Sequence, residues 1–151
     1  MKVRYVEMSD IEQCVSLGYV MHQESRYGIN SYLPDKVAFL VQTCIDSPEY
    51  VGLVAEHNGR IVGFMSGIVG EDFFSNTRYA NDIALYVHPQ NRGSTAAVRL
   101  ITQFLVWCDS MGCHEVRCGI TTQINDLVAI KLYSRFGFDT GGTLMVKQLV
   151  H

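Results

Sequence analysis

The segment Asp82 to Ala97 reads Asp-Ile-Ala-Leu-Tyr-Val-His-Pro-Gln-Asn-Arg-Gly-Ser-Thr-Ala-Ala. A strand-like run stops at Pro89, a short polar turn holds Gly93, and a helical pattern begins at about Thr95. The first turn of such a helix leaves backbone N–H groups without partners, and the positive end of the helix dipole lies behind them. Together they make a site for an anion such as a phosphate. Gly93 allows close approach of the backbone, and Arg92 offers a charge-assisted contact. Strand–turn–helix junctions are common, so by itself the pattern leaves open both phosphate binding and a plain connection.

Other reactive side chains set limits. The cysteines Cys14, Cys44, Cys108, Cys113 and Cys118 are odd in number and lack the two-residue spacing of zinc or redox sites. Buried free thiols in a reducing compartment are the expectation. His22, His57, His114 and His151 form no spaced ligand set, so no metal is expected. Lysine plus arginine number 12 against 15 aspartate plus glutamate, a net charge of −3 that argues against a nucleic-acid binder. Arg4, Glu7, Asp10 and Glu12 are wrong for a signal peptide, and no apolar run approaches the ~20 residues of a membrane span. A cytoplasmic location is expected, with no membrane partner.

The chain of 151 residues is 48% apolar and 18% charged, without repeats or linkers, and reads as a single domain over residues 1–151. Lys2 to Glu7 predicts a short strand. Ser9 and Asp10 offer an N-cap, and Glu12, three residues after Ser9, has capping-box spacing ahead of a helix that runs to about Ser25. Tyr27 to Leu33 reads as a loop, and Pro34 opens a second helix that ends at Ser47-Pro48. Tyr50–His57 and Ile61–Val69 flank Asn58-Gly59, the strongest hairpin signal in the chain. After a polar loop from Glu71 to Arg78, Tyr79–Val87 predicts the next strand. Ser94–Met111 carries an apolar arc wide enough to pack on a sheet, and Gly112 closes it. A strand at His114–Ile120, a helix at Asn125–Phe136 and one or two strands within Phe138–Leu149 complete the order.

Gln90-Asn91-Arg92-Gly93-Ser94-Thr95, following a strand that ends Tyr86-Val87-His88-Pro89, resembles the pyrophosphate loop of the GNAT acyltransferase superfamily. That loop reads Gln or Arg, two residues, Gly, one residue, then Gly or Ala. Thr95 departs from the last place, where its branched side chain would narrow the approach of a phosphate or its hydroxyl would contact one. Asn125, Ala129, Leu132 and Tyr133, then Phe136-Gly137-Phe138, resemble the family's second block in the right register. The element order matches as well, so the resemblance covers nearly the whole chain. It implies an α/β (α+β) GNAT fold: a central mixed, mostly antiparallel sheet of six to seven strands, splayed in a V between the fourth and fifth, flanked by about four helices.

The resemblance also implies roles. Acetyl-CoA would lie in the splay, with Leu85, Tyr86 and Val87 offering main-chain hydrogen bonds. Arg92, Gly93, Ser94, Thr95, Ala96 and Ala97 would hold its pyrophosphate, and Asn125 would contact it or simply cap its helix. Tyr133 would protonate the leaving thiolate, and Asp82 is the nearest acidic candidate for a base. The acceptor region would hold Glu24, Tyr27, Tyr32, Glu71, Phe73 and Tyr79. With Asp72 and Asp82, its carboxylates and aromatics suggest a cationic primary amine, on a small molecule or a peptide. The implied activity is N-acetyl transfer to that amine by direct attack in a ternary complex, with the protein a monomer or homodimer. The alternative is a catalytically silent GNAT-like module that binds an acyl-CoA or a protein partner. Thr95 and the lack of an obvious glutamate base lean toward the alternative, and Tyr133 leans toward the enzyme.

Overall fold

The computed structural model describes all 151 residues. Strand β1 (Lys2–Tyr5) is followed by helices α1 (Ile11–Glu24) and α2 (Pro34–Asp46). Strands β2 (Tyr50–His57), β3 (Arg60–Glu71) and β4 (Arg78–Val87) come next. Helix α3 (Ala96–Ser110), strand β5 (Glu115–Arg117) and helix α4 (Asp126–Ser134) complete the regular structure. The sheet order is β1-β2-β3-β4-β5, antiparallel except for the parallel β4–β5 pair. No helix is long and apolar enough to cross a membrane.

Alternation sorts the strand side chains between two apolar layers. Val51, Leu53, Ala55 and Met65 face α3, whose Leu100, Ile101, Phe104, Trp107 and Cys108 bury against them. Val6, Val54, Ile61 and Tyr86 face the other way, against Cys14 and Leu17 of α1. Phe104 has no exposed surface and fits because Gly67 has no side chain: a Cβ there would stand 2.4 Å from the ring. The hairpin expected at Asn58-Gly59 forms, both residues taking positive φ (52° and 76°) between the paired His57 and Arg60. That left-handed pair is the turn whose twist matches the flanking strands.

The structure corrects three expectations. The capping box lies at Glu7 and Asp10, not Ser9 and Glu12, around a short 3₁₀ turn ahead of α1. Buried Asp10 takes the Glu7 N–H at 2.8 Å and both guanidinium nitrogens of Arg4, at 2.7 and 3.0 Å. A carboxylate already held by an arginine outcompetes a solvent-facing serine for the cap. The fifth strand is three residues long instead of seven, and no strand forms within Phe138–Leu149, so the sheet has five strands, not six or seven. The cause lies at β5. Beyond Arg117 the chain leaves the ladder, and the Gly119 N–H goes to the Asp82 carboxylate. This shortened edge gives a following strand little to pair with, and strand propensity without a partner does not make a strand. Leu144, Met145, Val146, Leu149 and Val150 are all exposed.

Candidate active site

Strand β4 changes character at its midpoint. Ser66 pairs with Ala84 and Gly67 with Asp82, leaving Ile83 as a bulge that bends the strand. On the opposite side, pairing with β5 ends at Asn81–Arg117. From Asp82 to Val87, β4 therefore has an open edge, and the two strands part in a V. This is the splay expected between the fourth and fifth strands.

The fork of the V gathers three ionisable groups. Asp82 Oδ1 accepts the Gly119 N–H at 2.9 Å. Burial nevertheless pushes its pKa up to about 6, because a low-dielectric site disfavours the charged form. Tyr133 is only 6% exposed, its ring set edge-on to Phe138 with centroids 5.2 Å apart. Burial raises its phenol pKa, and the neighbouring Cys118 and Asp82 raise it further. Burial also pushes the Cys118 thiol up to about 12, so it stays protonated at neutral pH. Asp82 and Tyr133, singled out 51 positions apart in the sequence, thus share one electrostatic neighbourhood. Cys118 joins them although no motif marks it.

The open edge leads into the turn before α3. Gly93 adopts φ +83°, the left-handed region that favours glycine, while a Cβ there would meet nothing within 4 Å. Backbone conformation, not space, therefore demands the glycine. The N–H groups of Gly93, Thr95, Ala97 and Val98 have no acceptor within the chain, whereas Ser94 N–H goes to Asn91 O and Ala96 N–H to Ser94 Oγ. Thr95 is the N-cap residue, yet its hydroxyl makes no capping bond. His88 Nδ1 accepts the Gln90 N–H at 3.1 Å and so serves the turn. Asn125 caps α4, its side-chain oxygen accepting from Val128 N–H at 3.3 Å.

Glu24, which the sequence groups with the acceptor, meets Arg92, which it groups with the phosphate loop. Both guanidinium nitrogens reach the carboxylate, Nη2 at 2.7 Å, and the Tyr86 hydroxyl donates to the same oxygen. Arg92, first, and Tyr86 hold the Glu24 carboxyl below its ordinary pKa. The end of α1 is thereby tied to the loop. A second tie missed by sequence reading runs from Arg26, whose Nε donates to Thr121 O at 2.6 Å and whose N–H donates to Thr122 O at 2.9 Å. No local pattern signals a contact across 95 residues.

The remaining acceptor candidates do not converge. Tyr27 meets Thr121 through their hydroxyls, 3.0 Å apart. The Tyr32 hydroxyl donates to Val15 O at 2.6 Å, under the first two helices. Glu71, Phe73 and Tyr79 lie at the far end of β4, where Tyr79 is covered by Arg117 at 3.7 Å and Phe73 is 98% exposed. Glu71 pairs with Arg78, four residues from Asp82 or roughly 13 Å along the strand. Asp72 is engaged by Phe74 N–H and Ser75 Oγ. The expected negative mouth of Glu24, Glu71, Asp72 and Asp82 is therefore not assembled: one carboxylate is neutralised, two are remote and one is half-buried in the fork.

Comparison with known proteins agrees with this geometry. Residues 17–138 match the family model described as the acetyltransferase (GNAT) family. A curated relative, the L-methionine sulfoximine/L-methionine sulfone acetyltransferase of Salmonella typhimurium, is 30% identical over 90 residues, or 59% of this chain. The match spans about half (50%) of that relative's length. Among solved structures, glucosamine-6-phosphate N-acetyltransferase from Arabidopsis thaliana superposes with a TM-score of 0.77 at 19% identity, covering 99% of this chain and 98% of its own. A predicted acetyltransferase of Clostridium acetobutylicum, solved with acetyl-CoA, superposes at a TM-score of 0.73 with 18% identity, covering 97% of this chain and 95% of its own. At these identities the structures speak for the fold, and the family match carries the assignment: the chain belongs to the GNAT family of acetyltransferases.

Proposed function

We propose that this protein moves an acetyl group from acetyl-CoA to a primary amine by direct attack within a ternary complex. One observation carries the reading above all. The open edge of β4 runs from a fork holding Asp82 and Tyr133 straight into a turn with four unclaimed N–H groups at Gly93, Thr95, Ala97 and Val98. An extended chain with a phosphate at one end and a reactive group at the other fits such a track.

Acetyl-CoA supplies the acetyl group as a thioester. The main chain of Leu85 to Val87 would align its arm, and the Gly93–Ala97 turn would hold the pyrophosphate. The raised phenol pKa keeps Tyr133 protonated at any working pH, so its Oη–H can be given to the departing sulfur. Asp82 suits the complementary task. With a pKa of about 6 it is ionised at neutral pH yet basic enough to take the proton that the amine loses, directly or through water. Asn125, with its oxygen used by the cap, would offer its amide N–H₂. The test is calorimetric titration with acetyl-CoA, followed by thiol release over a panel of primary amines. Binding with amine-dependent thiol release is expected. Failure to bind acetyl-CoA would remove the reading altogether.

A further inference from the structure

A cavity of about 200 Å³ lies on the sheet face opposite α3, under α1 and α2. Its walls include Met21, Tyr32, Val37, Val41, Cys44 and Phe64, and none of its sixteen lining residues is Asp, Glu, Lys or Arg. Its polar side chains are few: the hydroxyls of Tyr32 and Ser66 and the thiols of Cys14 and Cys44. The Tyr32 hydroxyl is given to Val15 O, and burial raises the pKa of the Cys14 and Cys44 thiols, the latter to about 11. Protein interiors close apolar spaces by packing, so a pocket of this size, partly open to solvent, leaves room for the apolar group of a ligand. Its floor includes Ser66 and Ala84, the β3–β4 pair beside the Ile83 bulge, and Ala84 is two residues from Asp82. The cavity therefore abuts the stretch of β4 where the V opens. Nearby, His22 Nε2 is the one buried side-chain atom without a hydrogen-bond partner, on a ring leaning against Tyr32 with centroids 5.3 Å apart.

We infer that the acceptor is a primary amine carrying an uncharged apolar substituent that fills this cavity. The inference rests on the acetyl-transfer reading and names its substrate class. Size sets the substituent: apolar cavities of ~150 Å³ hold benzene, so a phenyl, branched alkyl or thioether group fits. Charge sets the exclusion. A polyamine or aminoglycoside would place a second ammonium or several hydroxyls against walls that hold no carboxylate and only two hydroxyls, Tyr32 and Ser66, to pair them, a costly burial. This keeps the primary amine expected from the sequence but makes the rest of the acceptor apolar, in place of a polyamine or aminoglycoside. The reactive nitrogen itself stays outside the cavity, beside the bulge.

The experiment has two arms. In the first, phenethylamine, isoamylamine, spermidine and ethanolamine are compared for acetyl-CoA-dependent thiol release by the full chain. The apolar pair should lead in kcat/KM by at least tenfold, the scale on which apolar pockets discriminate. In the second, phenethylamine is titrated calorimetrically into protein saturated with CoA, so that no turnover is needed. Val41→Phe, which fills the cavity, should weaken that binding at least tenfold and leave the affinity for CoA unchanged. Leu40→Ala, which enlarges it, should shift preference toward bulkier amines. The two changes act in opposite directions, and melting temperatures identify any variant that fails to fold. Spermidine or ethanolamine leading the panel, or Val41→Phe leaving the binding untouched, overturns the inference while acetyl transfer stands. Cavity-dependent binding of phenethylamine without transfer to any amine would instead overturn the transfer reading and leave the site.

Discussion

The fork of the sheet and the turn before α3 shift the pKa values of their carboxylates in opposite directions, by opposite physics. In the fork, burial governs: Asp82 is raised to about 6, and Cys118 and Tyr133 are raised as well, so each group is pushed toward its neutral form. At the turn, pairing governs: Glu24 is lowered by Arg92, and both stay charged at the rim, with side-chain exposures of 26% and 41%. Of the three, Asp82 can change charge near neutral pH, as a site that moves protons needs, while Tyr133 keeps its hydroxyl proton. A site that must hold an anion gains from fixed charge and free N–H groups. The division predicts that substitutions in the fork act on turnover and those at the turn act on affinity.

The largest effect should come from Tyr133→Phe, which removes only the hydroxyl. Turnover should fall about 100-fold, in the range for a lost proton donor. The Kd for acetyl-CoA should hold within about twofold, since no binding contact is removed. A loss of affinity equal to the loss of turnover would erase the distinction between the regions. Gly93→Val comes next. A branched residue at φ +83° distorts the turn, and weakening of acetyl-CoA binding by about tenfold is expected in calorimetry, with much less change in the turnover number at saturation.

Asp82 sharpens the comparison through pH. If its carboxylate takes the proton, kcat/KM should rise as pH passes through about 6, and Asp82→Asn should flatten that limb. Stability should move the other way. A carboxyl whose pKa is higher folded than unfolded favours the fold below its ordinary 3.8, and that advantage is lost as pH climbs to about 6. The melting temperature of the wild type should therefore fall, relative to Asp82→Asn, across that window. The smallest effect belongs to Glu24→Gln. It frees Arg92 from a part-exposed pair, which is worth little to stability. Acetyl-CoA affinity should change by about twofold, in the direction of tighter binding if the guanidinium then serves the phosphate.

How far this division was legible depends on whether a feature is local. The strand–Gly93–helix run and the Asn125-to-Phe138 block are contiguous, and both fall where their patterns put them. The Asn58-Gly59 hairpin fixes the register of β2 and β3 for the same reason. The bidentate contact of Glu24 with Arg92 crosses 68 positions, and nothing in either neighbourhood announces it. Capping at Glu7 and Asp10 was hidden because Arg4 recruits Asp10 first. The final strands failed for a related reason: the stretch Phe138–Leu149 states a propensity, whereas pairing depends on how far β5 extends. The four acidic residues illustrate the opposite error, in which residue type was read without position. Composition suggested a negative mouth, and the register of β3 on β4 pulls it apart.

If the fork performs chemistry and does not merely cradle a ligand, thiol release must depend on the amine. Free thiol from acetyl-CoA is followed with and without primary amine, together with the mass of the amine. Amine-dependent thiol release is expected, with one acetyl group gained per thiol. Saturable acetyl-CoA binding with no amine-dependent thiol from apolar, cationic or peptide amines would contradict it and leave a silent acyl-CoA-binding module.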